Sequence, residues 1–136
     1  MAQQKHPFER LSDLIDDYAK NKNSYDANKL QDLRENIALN LFYLSDSASE
    51  ALSRYDRAEH ERKMKMAERE QFHREEEDEN GKRMTVTEAQ NLARIDCRDE
   101  VNASKEAHRQ KERVRIILSA SNQILNAIAS RLSMIG

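Results

Sequence analysis

Lys105, Arg109 and Arg113 recur at i, i+4 and i+8, a spacing that lines three cations along one face of a helix. His108, Lys111 and Arg115 lie beside them. A second basic segment, RKMKMAER (62–69), carries Arg62, Lys63, Lys65 and Arg69, and Arg54 and Arg57 precede it. Cations repeated along a surface are what contact with a phosphate backbone requires, and copies in an oligomer multiply them. The same segments carry Glu50, Asp56, Glu59, Glu61, Glu106 and Glu112, and such mixtures ordinarily form surface ion pairs. Both readings stand on the residues alone. Aromatic side chains on which bases would stack are scarce nearby: Tyr43, Tyr55 and Phe72, two of them expected in a core.

No residue set has the pattern of a catalytic centre, so an enzyme is not expected, and neither is a cofactor or a metal. The chain has one interior glycine, which leaves no phosphate-cradling loop. His6, His60, His73 and His108 are scattered over polar stretches, and none has a His or Cys at i+3 or i+4 to share a metal. Cys97 falls between Ala93 and Val101 on an apolar line, where a thiol serves as a small hydrophobe. The acidic run Glu75–Glu79 lacks the alternation and internal glycine of a calcium loop, and reads as a solvated tip.

The 136 residues are 38% hydrophobic and 35% charged, with a net charge of −2. That composition suits long helices and coiled coils, and the balance of charge excludes a uniformly basic nucleic-acid binder. A lone cysteine forbids an internal disulfide and fits a reducing compartment. No apolar run approaches a signal peptide's core or the ~20 residues of a membrane span, so a cytoplasmic protein is expected, with no membrane partner.

Gly81 organises the rest. Between Pro7 and the terminal Gly136 it is the only glycine, and there is no second proline, so helix-breaking residues are confined to one place. The surrounding EEEDENGKR is a polar turn signature. The prediction is an all-α single domain over 1–136: a short helix at 7–19, a long helix at 27–78, a reversal at Gly81, and a second long helix at 86–134. Pro7 suits a helix N1 position, Asp26 or Ser24 caps the second helix, and Thr85 with Glu88, or Thr87 with Gln90, has capping-box spacing.

Apolar residues repeat in sevens along the first long helix: Leu30, Ile37, Leu44, Ala51 and Ala58, with Leu41, Ala48 and Tyr55 four residues later in register. The second long helix runs the opposite way, small and polar first, then aliphatic through Leu118, Leu125 and Leu132. An antiparallel fold about Gly81 sets Leu44 opposite Leu118 and Leu30 near Leu132, though it also sets Ala51 opposite Lys111. The apolar ends then form a base, and residues 59–83, with sixteen charges, form an arm.

The base is apolar on several faces. IALNLFYL (37–44) has seven apolar residues in eight, and Ile116, Ile117 and Ile124 lie off the main stripe. A helix hydrophobic all round must be covered all round. The first helix has one stripe to offer, so a homo-oligomer is expected through Leu41, Phe42, Leu44, Leu118, Leu125 and Leu132.

The layout of residues 26–136 resembles the UvsY-type recombination mediators of bacteriophages, on the basic segment RKMKMAER (62–69) and the closing IILSASNQILNAIASRL (116–132). The resemblance implies a long helical hairpin whose apolar ends assemble into a ring. It implies single-stranded DNA binding, with Lys63 and Lys65 as contacts beside Arg62 and Arg69. Its protein partners would be a RecA-like recombinase, which the mediator loads, and the single-strand-binding protein covering the DNA. The site would be the host cytoplasm. Two other classes stay open: a small phage-encoded inhibitor of a host defence system, and a structural or scaffolding coiled coil.

Overall fold

The computed structural model describes residues 5–135. Among them are four α-helices and no β-strand, so the fold is all-α. They are α1 (Pro7–Asn21), α2 (Ala27–Glu75), α3 (Val86–Asp96) and α4 (Arg98–Ile135), with a single 3-10 turn, Lys22–Ser24, after α1.

Local chemistry explains the boundaries. His6 caps α1, its Nδ1 accepting from the Phe8 N–H at 3.1 Å, and Pro7 takes the first helical position, where its missing N–H costs nothing. The Asp26 carboxylate caps α2 by accepting from the Lys29 N–H at 2.8 Å. Thr85, not Thr87, caps α3, with its hydroxyl accepting from the Glu88 N–H at 3.2 Å.

Three boundaries differ from expectation. Helix α1 runs two residues further than 19, to Asn21, whose amide folds back onto Asp17 at 2.9 Å. Helix α2 stops at Glu75 instead of 78, because Asp78 is taken by the turn. Its carboxylate accepts from the N–H groups of Asn80 and Lys82 at 2.9 and 2.8 Å, and its carbonyl from Gly81 at 2.9 Å. Gly81 has φ +73°, the one positive φ among the described residues, and an antiparallel bridge pairs Glu77 with Arg83.

The third difference is larger. The helix expected over 86–134 is two helices, interrupted at Cys97 (φ −101°, ψ 24°). Neither glycine nor proline is involved. Cys97 still donates to the Ala93 carbonyl and accepts from Val101, both at 2.9 Å, so the helical phase carries across the interruption.

The chain divides into two compact units. The first takes its residues from 1–50 and 112–136. Its core joins Leu11 and Tyr18 of α1, Leu30, Leu33, Ile37 and Leu44 of α2, and Ile117 and Ile128 of α4. Burying each such side chain contributes about 1.5–3 kcal/mol. Phe8, Leu14 and Ile15 pack onto that core, so with Leu11 and Tyr18 the whole apolar stripe of α1 faces it. Arg131 ties the end of α4 to the 3-10 turn by donating to the Lys22 carbonyl at 3.0 Å.

The second unit is 51–111. Here α2 meets α4 through Glu59 and Ser104, and α3 through Arg69 and His73 on Asp96, and apart from His73 the buried residues are small: Ala89, Ala93, Cys97 and Ser104. Residues equidistant from Gly81 would set Glu59 opposite Ala103. The observed partner is Ser104, one residue away, whose hydroxyl donates to Glu59 at 2.5 Å.

Candidate nucleic-acid interface

Of the four cations in RKMKMAER and the three at i, i+4 and i+8 on the later helix, three are in ion pairs. Arg62 grips the Glu59 carboxylate, which also accepts from Ser104. The Arg62 contact, seconded by the Ser104 hydroxyl, holds the Glu59 carboxyl down at about 2. Arg69 donates to Asp96 at 2.9 Å, and Arg109 to Glu106 at 3.0 Å. Arg113, in the first unit, lies over the Phe8 ring at 4.9 Å. Lys111, at the position opposite Ala51 in the expected register, reaches Tyr55 instead and lies over its ring at 4.4 Å.

Lys63, Lys65 and Lys105 remain exposed, with no ion pair among the described residues. Lys63 and Lys65 do not act together geometrically. Two residues on a helix are ~200° apart, so the lysines leave α2 on opposite flanks of its half-buried line, Arg62 and Met66. The line Lys105, Arg109 and Arg113 lies along α4, but Arg109 is paired with Glu106 and Arg113 lies over the Phe8 ring.

Two residues that the sequence reading passed over belong with Lys105. Arg94 and Arg98 are exposed and form no ion pair among the described residues. The signal was there: each of Arg94, Arg98 and Lys105 directly follows a residue of the buried line, Ala93, Cys97 and Ser104. A one-residue step is ~100° of rotation, so all three emerge on the same flank. The residues directly before that line are Leu92, Asp96 and Ala103, which puts the acid on the other flank.

Asp96 is engaged there. His73, only 9% exposed, has Nε2 2.6 Å from the same Asp96 oxygen that accepts from Arg69. The His73 contact first, then Arg69, pulls the Asp96 carboxyl below its ordinary value. Burial pushes the neighbouring Cys97 thiol up, as it does for a small side chain set into the interior. No three His, Cys, Asp or Glu side chains among the described residues are placed to hold a metal ion. No described helix is long and apolar enough to cross a membrane.

The residues expected to oligomerise separate into two groups. Leu44 is fully buried in the chain's own core, and Leu41, Leu118, Leu125 and Leu132 pack against it. Phe42 is 72% exposed, flanked by Leu39 and Tyr43, each 50% exposed. Outward-facing apolar surface in the first unit therefore includes Leu39, Phe42 and Tyr43, with Ile116, Met134 and Ile135 also exposed, while Leu44 is committed to the interior. No family model matches the chain, and neither does any curated protein or solved structure.

Proposed function

We propose that this protein binds single-stranded DNA and acts as a phage-type recombination mediator, loading a RecA-like recombinase onto DNA covered by single-strand-binding protein. The supporting observation is that Lys105, with Arg94 and Arg98, stands exposed on the helices with no ion pair among the described residues. Unpaired cations on rigid elements can neutralise phosphates without first breaking an ion pair, and released counterions supply the affinity. In this reading the chain is a long hairpin reversing at Gly81, and copies associate through the face of Leu39, Phe42 and Tyr43. Association strengthens binding by presenting several cationic surfaces to one strand.

An electrophoretic shift with a single-stranded oligonucleotide at two salt concentrations tests the reading, with light scattering for the assembly. Retarded DNA at low salt and its release at high salt are expected. Absence of any shift at low salt overturns it. Tight stoichiometric capture of one host protein would then favour the inhibitor class, and polymerisation alone the scaffold.

A further inference from the structure

We infer that the strand's phosphate path in the second unit runs along the α3–α4 flank bearing Arg94, Arg98 and Lys105, and not along the RKMKMAER segment of α2. The inference rests on the nucleic-acid reading above and assigns its site. The three cations each follow a residue of one buried line, so they share a flank. Eleven residues separate Arg94 from Lys105, about 16 Å at the helical rise. Within that row stand Val101 and Asn102, with no acid. Arg109 extends it by a further turn; its exposed pair with Glu106 is of the kind worth ~0–1 kcal/mol, which a phosphate can displace.

The α2 segment offers less. Arg62 and Arg69 are held by Glu59 and Asp96, Lys63 and Lys65 diverge, and Glu61, Glu68 and Glu70 intervene. A single line of like charges matches a linear polyanion, and the one exposed aliphatic beside it, Ile95, falls short of the aromatic or clustered anchor that a folded acidic partner would be expected to seek. Without a stacking platform in the row, recognition is of the backbone, indifferent to base sequence.

The test is fluorescence anisotropy with a labelled oligothymidine 30-mer, a mixed-sequence 30-mer of equal length, and polyglutamate, titrated from 0.05 to 0.3 M salt. Each phosphate contact in a single strand contributes about −0.7 to the slope of log K against log salt. Arg94→Gln with Arg98→Gln should flatten the slope by about 1.4. With affinity at 1 M salt unchanged, that is a loss of about 25-fold at 0.1 M. Lys65→Gln, in the α2 segment, should change affinity less than twofold, and circular dichroism should show both variants as helical as the wild type. Equal binding of both oligonucleotides is expected. If the wild type binds DNA but the double arginine variant matches it, the path is elsewhere and the DNA reading survives. If the wild type binds neither oligonucleotide, both fall. Polyglutamate binding as tight as DNA would reassign the row to an acidic protein.

Discussion

Replacing Glu59 by glutamine isolates the polar contact that sets α2 against α4 in the second unit. Glu59 accepts from the Ser104 hydroxyl at 2.5 Å and from Arg62 through both guanidinium nitrogens in reach. Its side chain is 23% exposed and that of Arg62 30%. A hydrogen bond to a charged group contributes ~1.5–3 kcal/mol and a neutral one ~0.5–1.5, so neutralising the acceptor costs about 1 kcal/mol at Ser104. The partly solvated Arg62 contact adds up to ~1 kcal/mol. The expected loss at pH 7 is about 2 kcal/mol, near 30-fold in the unfolding equilibrium. The carboxyl's folded value lies near 2 against an ordinary 4.5, so its contribution is complete above pH 4.5 and is lost as pH falls towards 2. Urea unfolding followed by circular dichroism should therefore show Glu59→Gln weaker than wild type at pH 7. The gap should narrow below pH 4.5 and close near pH 2. A gap of constant size across that range would refute the argument, because it would trace the loss to packing and not to charge.

Leu44→Ala should cost ~2–5 kcal/mol in thermal unfolding, because Leu44 is fully buried in the first unit's core. Phe42→Ala should leave the melting temperature of the dissociated protein within about 2 °C, since exposed substitutions stay within ~0.5 kcal/mol, while reducing the mass seen by light scattering. Gly81→Ala should cost ~1–2 kcal/mol by chemical denaturation, and Gly81→Asn less; the added Cβ meets only a Glu77 oxygen at 4.0 Å, so the penalty comes from φ +73°. Asp96→Asn should release His73 and Arg69 together and raise the rate at which a thiol reagent reaches the buried Cys97 severalfold at pH 7. The difference should shrink as pH drops through the lowered Asp96 value.

Much of the local structure was legible because it is written in short-range chemistry. Pro7, Asp26, Thr85 and Gly81 each act through their own backbone neighbours, and the helix ends follow them to within a few residues. The seven-residue repeat Leu30, Ile37 and Leu44 gave the core line of α2 for the same reason. The interruption at Cys97 was not legible. It coincides with Asp96, whose carboxylate is held from α2 by His73 and Arg69, residues 23 and 27 positions away. No helix propensity around Cys97 reports on that. The all-round apolar segment 37–44 predicts an excess to be covered by other copies. Its Ile37 and Leu44 go to α1 and α4, and Leu39, Phe42 and Tyr43 are left over. Among the basic residues, attention to i+4 spacing favoured Lys105, Arg109 and Arg113. Arg94 and Arg98 are marked instead by adjacency to Ala93 and Cys97, small residues that the structure buries.

The small side chains in the second unit have a dynamic consequence. None of the large residues of the hydrophobic cluster comes from 51–111; the interior there is alanine, cysteine and serine, with His73 at one end. Opening that unit exposes little apolar area, so the free energy of opening is low, whereas opening the first unit exposes leucine and isoleucine. Amide protons of α3 and the start of α4 should therefore exchange with solvent well ahead of those around Ile37 and Ile128. The cationic flank rides on the part of the molecule that breathes, and a bound polyanion would be felt first as a slowing of that exchange.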